Sequence, residues 1–169
     1  MENAIKFLNL IQDSGIFRKY SLSNSAAISF YLDVDSTNTL DVLFINSDDE
    51  TKSSLKKIYE LAESKKYLQE NNSIVVNNFT INFIEAENEL LKEAVISSEC
   101  MKVGRTKCQI LKAEYLIALL LKSKYENEKR ILLRIIQEVE FDKDELKSIL
   151  SYFKLKKKYS DIERIIINE

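Results

Sequence analysis

One carboxylate, Asp41, stands in the alternating run Thr39-Leu40-Asp41-Val42-Leu43-Phe44-Ile45, downstream of the small polar cluster Ser23-Asn24-Ser25. These residue types in this order suit phosphate and metal chemistry. Small side chains at the mouth of a helix let backbone N–H groups approach a phosphate, and a helix N-terminus favours negative charge. A carboxylate at the start of the following strand then stands where a divalent cation would sit beside that phosphate. Metal-assisted phosphoryl chemistry wants two or three such carboxylates, because the ions neutralise the phosphates and activate the attacking hydroxyl. Alternation puts Asp41 and Leu43 on one face of the strand and Leu40, Val42 and Phe44 on the other. Leu43, on the same face, offers no oxygen.

Stepping outward, residues 2–14 read as an amphipathic helix with Ile5, Leu8 and Ile11 on one stripe, and Gly15 stands at its C-cap. Phe17 to Leu22 leads a first strand into Ser23-Asn24-Ser25, each residue able to cap the short apolar helix of Ala26, Ala27, Ile28 and Phe30. Asp33 to Asn38 is turn chemistry, and Leu40 to Ile45 a second strand. Ser47 and Glu50 fit a capping box for a helix running to about Leu68, with Leu55, Ile58, Tyr59 and Ala62 buried. Ser73 to Ile84 reads as a hairpin turning at Asn77-Asn78. Phe79, Ile81 and Phe83 face one side, and Thr80, Asn82 and Ile84 the other. Residues 86–96 are expected to be helical, Gly104 to lie in a polar turn, and Cys108 to Leu111 to form a short strand. Beyond Leu111 the pattern turns helical: 113–122, 127–139, a helix capped by Asp142 and Glu145, and a last short one from Ser160. The expected class is α+β, with an α/β core over 1–111 and a C-terminal helical region over 112–169 packed on it.

The 169 residues include 25 basic and 27 acidic side chains, a net charge of −2, so no overall electrostatic case exists for nucleic acid or an anionic membrane. Histidine is absent, which excludes Ser-His, Cys-His and His-zinc chemistry. Cys100 and Cys108 make no disulfide framework and are expected to be buried, reduced thiols. No apolar run is long enough to span a bilayer, and the N-terminus lacks the basic and apolar regions of a signal peptide, so a cytoplasmic protein is expected.

In its order of elements the chain resembles the nucleotidyltransferase fold, in particular the bacterial abortive-infection toxin family of nucleotidyltransferase-like proteins (AbiEii-like), related to toxin–antitoxin components. The resemblance covers roughly residues 16–155 and rests on several weak motifs in sequence. Where the family has a Gly-Gly or Gly-Ser pair, this chain has Asn24-Ser25. In the family's Thr-x-Asp-x-Asp-like strand, Thr39 and Asp41 match and Leu43 does not. The third carboxylate position falls on the amide Asn82. Ile110 to Leu119 matches a strand-to-helix segment, with Lys122 at its recurrent lysine. The resemblance implies a small mixed sheet flanked by helices and a degenerate catalytic site. In that site Asp41 is a remnant that binds metal weakly, Ser23, Asn24, Ser25 and Lys122 face a nucleotide, and Leu43 and Asn82 are the degenerate positions. It implies magnesium or no cofactor, and a nucleotide or a protein as partner. Two other readings stay open: an active metal-dependent nucleotidyltransferase modifying RNA or protein, with Asp33, Asp35 or Glu85 supplying oxygens, and an interaction module without a nucleotide site. Each residue also has a plainer role, Asp41 as a strand cap or ion-pair partner of Lys122, Ser23 to Ser25 as a helix cap, and Lys156-Lys157-Lys158 as a solvated helix end.

Overall fold

A computed structural model of the chain describes residues 1–32, 34, 38–47, 51–123 and 125–168. Its centre is a seven-stranded mixed sheet in the order β3-β4-β5-β2-β1-β7-β6. The strands are β1 Phe17–Ser23, β2 Thr39–Asn46, β3 Leu68–Glu70, β4 Ser73–Val76, β5 Phe79–Glu85, β6 Glu99–Val103 and β7 Thr106–Ile110. β1 runs antiparallel to β2 and parallel to β7, while β2 and β5 are parallel with Asp41 opposite Asn82. The helices are α1 Glu2–Asp13, α2 Asn24–Tyr31, α3 Thr51–Ser64, α4 Glu89–Ile96, α5 Ala113–Leu120, α6 Glu126–Glu138, α7 Lys143–Tyr152 and α8 Lys156–Asn168. This is the α+β class expected from the pattern.

The two faces of the sheet carry separate apolar clusters. Leu40, Val42 and Phe44 of β2 join Leu22 and Ile81 against Ile5, Leu8 and Ile11 of α1 and Ile58 and Ala62 of α3. Leu43, on the opposite face, joins Leu90 and Ala94 of α4, Leu116 and Ile117 of α5, and Leu132 and Leu146 farther on. Leu119 and Ile136 pack against this second cluster as part of one helical layer, and the cluster runs unbroken across position 112.

Several boundaries differ from expectation. α3 stops at Ser64 because Lys66 takes a left-handed φ of 60° and Tyr67 N–H donates to the Ala62 carbonyl, a C-terminal closure that glycine usually marks. The edge strands β3 and β6 were unforeseen: their residues are nearly all exposed, so no buried face imposes alternation on them. α8 begins at Lys156, four residues before Ser160, after Lys154 closes α7 with φ 58°. The expected turn at Asn77 is present, with φ 56°. Cys108 is buried, and burial pushes its thiol up to about 11, whereas Cys100 is exposed, contrary to expectation. The two pair with Met101 and Gln109 respectively on adjacent antiparallel strands, so they point to opposite faces. Glu50 of the expected capping box lies outside the described residues.

Candidate functional site

Asp41 sits at the point where three strands and a helix converge. Its register partners are Ser23 on β1 and Asn82 on β5, and α2 starts immediately after Ser23. Both carboxylate oxygens accept hydrogen bonds from amides. Asn82 Nδ2 donates to Oδ1 at 2.8 Å, and Asn24 Nδ2 donates to Oδ2 at 3.1 Å. Ser73 Oγ, across β4, donates to Asn82 Oδ1 at 2.6 Å. The dipoles of Ser73 and Asn82 thus point in sequence toward the Asp41 charge, each strengthening the next. The same order fixes the Asn82 amide, since a flipped side chain would set its oxygen against a carboxylate oxygen. Ser23 Oγ donates to the Asp41 carbonyl at 3.2 Å. Ser23 occupies the N-cap position of α2 but makes no side-chain cap, so its expected capping role is replaced by this bond across to β2. Ser25, partly buried, is the second residue of α2.

Asn24 has φ 45°. Glycine adopts that left-handed conformation without penalty, and asparagine is among the few other residues that enter it readily. The backbone here therefore has the shape a glycine-bearing turn would have. The side chain that asparagine adds reaches Asp41.

Leu43 is 3% exposed, enclosed in the cluster beneath α4 and α5. Leu43 therefore does not open onto the Asp41 site: α2 and α4 pack on β2 here, and the apolar cluster that Leu43 joins continues into α5 and the later helices. Glu85 does not supply a missing oxygen either. It pairs with Phe44, three positions beyond Asn82, which puts it on the other face of the sheet, where Asn46 Nδ2 donates to it. Asp33 and Asp35 lie outside the described residues.

Magnesium does not fit the described residues as arranged. A hard cation requires a shell of oxygens, yet the Asp41 oxygens face N–H donors and Leu43 presents carbon. Among the described residues no group of three His, Cys, Asp or Glu side chains is placed to hold a metal ion. What this arrangement can do chemically is fasten β1, β2, β4 and β5 to the start of α2 through one half-buried charge.

Lys122 is exposed just past the C-terminal end of α5, and no hydrogen bond or ion pair joins it to Asp41. The lysine that stands near the strand ends is Lys112. Leu111 N–H donates to the Leu22 carbonyl, so α5 begins beside the end of β1 and carries Lys122 about 12 Å along its length. Lys112 Nζ contacts both oxygens of Glu145 on α7, at 3.0 and 2.9 Å. Glu145 thus reaches across to another helix and does not close a capping box. Asp142 alone caps α7, accepting from the N–H groups of Asp144 and Glu145, which lowers the pKa of its carboxyl. Glu114, 6% exposed, accepts the Asp142 N–H at 2.6 Å. These bonds dock α7 onto the first turn of α5. The sequence signal for Lys112 was its place at the strand-to-helix junction, directly after Ile110-Leu111.

No protein-family model matches the chain, and no curated protein matches it. Its structure is similar to the crystal structure of an antigenic nucleotidyltransferase-like protein from Paracoccidioides brasiliensis, with a TM-score of 0.56 and 11% identity, covering 96% of this chain and 91% of that one. A looser likeness, with a TM-score of 0.47 and 11% identity over 100% of both chains, is to the solution structure of the antibiotic-resistance factor ANT(2'')-Ia. The mixed sheet, its flanking helices and the first of these likenesses together give the chain a nucleotidyltransferase-like fold.

Proposed function

We propose that this chain is a nucleotidyltransferase-fold protein that has ceased to transfer nucleotides and acts by binding a protein partner, as a relative of bacterial abortive-infection and toxin–antitoxin components. One observation carries the proposal: the carboxylate in the catalytic position has both oxygens engaged by amide N–H groups. A working site would present those oxygens to metal and phosphate. Two further features support it. The second carboxylate position, Leu43, belongs to a core that the helical half closes over. The left-handed turn at position 24 keeps a glycine-like backbone while its side-chain amide donates to Asp41.

The test is transfer of radiolabelled nucleotide from each of the four nucleoside triphosphates, with magnesium or manganese, to bulk RNA, to added protein or to the chain itself. The parent and Asp41→Asn should be indistinguishable, both at background. Transfer by the parent that Asp41→Asn abolishes would overturn the proposal. It would install the active nucleotidyltransferase, with oxygens from the segment that holds Asp33 and Asp35, in its place.

A further inference from the structure

The helical half carries an apolar groove with a basic rim. It lies among α6, α7 and α8 and encloses about 550 Å³. Its apolar lining comes from Ile136, Phe141, Leu146, Leu150, Tyr159 and Ile166. Lys143, Lys147 and Lys156 stand along it, against the single acid Glu163. All three lysines are exposed. Lys147 pairs with Asp144 at 3.2 Å, but both side chains are so open to water that the pair holds the lysine weakly. Lys143 and Lys156 have no ion-pair partner among the described residues. A chain of net charge −2 has therefore placed three lysines against one glutamate along one of its apolar depressions.

We propose that this groove receives an acidic amphipathic helix of a partner protein. The apolar face of such a helix would lie along the groove, anchored at three- and four-residue spacing, with its flanking carboxylates meeting Lys143, Lys147 and Lys156. The charge pattern selects this occupant: a basic helix would be repelled at the rim, and a purely apolar one would leave the lysines without partners. The inference deepens the partner-binding reading above, and its test is separate, since nucleotide transfer decides that reading and peptide binding decides this one.

The probe is a fluorescent synthetic helix of leucine and glutamate at helical spacing, about 18 residues or five turns long. A leucine–lysine helix of the same pattern is the control. Fluorescence anisotropy with the full chain should show saturable binding of the glutamate helix and none of the lysine helix. Raising salt to about 0.5 M, where screening reaches only a few ångströms, should weaken it. The triple variant Lys143→Glu, Lys147→Glu, Lys156→Glu should lose about ten-fold or more in affinity, since three rim attractions become repulsions. Should that variant unfold, Lys143→Gln with Lys156→Gln should still lose about three-fold. Hydrogen exchange should slow in α6 to α8 on binding. Equal binding of both helices, no effect of the substitutions, protection elsewhere, a concentration-dependent dimer that blocks the probe, or preference for phosphatidylglycerol vesicles over the peptide would each overturn the proposal.

Discussion

The two faces of β2 show two ways of holding one strand. On one face, Leu40, Val42 and Phe44 are all buried against α1 and α3 in a uniform apolar layer. On the other, Asp41 is a half-buried charge met by amides, and two residues later Leu43 is packed beneath helices. Apolar packing tolerates many arrangements of similar volume, while a carboxylate with two amide donors tolerates few, because every polar group must find a partner of the right sign. The polar end of the second face therefore sets the register between β1, β2 and β5, and the apolar layers supply most of the stability.

Placing charge where the second face is apolar should have the largest effect. Leu43→Asp is expected to cost about 3–5 kcal/mol in urea unfolding, because the carboxylate would be buried without a partner. A loss under about 1 kcal/mol would mean that Leu43 reaches water and the two faces are less different than described. Removing charge at the polar end comes next. Asp41→Asn presents an N–H to amides that already donate, and should cost about 1–3 kcal/mol. An unchanged or higher denaturation midpoint would show that the amides do not depend on the charge.

Asn24 separates backbone from side chain. Asn24→Gly keeps the left-handed turn and loses the amide, whereas Asn24→Ala loses both, so alanine should be less stable than glycine by about 1 kcal/mol. Equal stability of the two would remove backbone strain from the account. The smallest effect is expected at Lys112–Glu145, whose double-mutant coupling should be about 0.5–1 kcal/mol at neutral pH. Its hydrogen bond to Glu145 raises the Lys112 pKa above the ordinary 10.5. A group whose pKa is higher folded than unfolded stabilises the fold fully below its unfolded value, and loses that contribution as pH rises through the folded one. The coupling should therefore hold at neutral pH and decline only above 10.5. A coupling that persisted well beyond that range would point to packing of the lysine stem.

Much of the frame was legible from spacing. Period-two runs marked β2 and β5 and assigned the facing of Asp41, Asn82, Val42 and Phe83 correctly. Helical spacing marked the layer of Leu116, Leu132, Leu146 and Leu150. The candidate site was legible in part. Asp41, Asn82, Ser23 and Asn24 do meet, whereas Lys122 stands apart, and Lys112, at the start of the same helix, has no spacing signal that sets it off from other lysines.

By itself the sequence determined which residues repeat at two and which at three or four, because burial of one face imposes that period on any chain. It also determined that histidine chemistry is closed to this protein. Tertiary structure alone decided the rest. Whether Leu43 faces water or helices depends on where residues far along the chain come to lie. Whether Asp41 is free or bound depends on Asn82, 41 positions away, being brought opposite it with its amide turned inward. Local spacing records the face a side chain takes, and only packing supplies the partner it meets there.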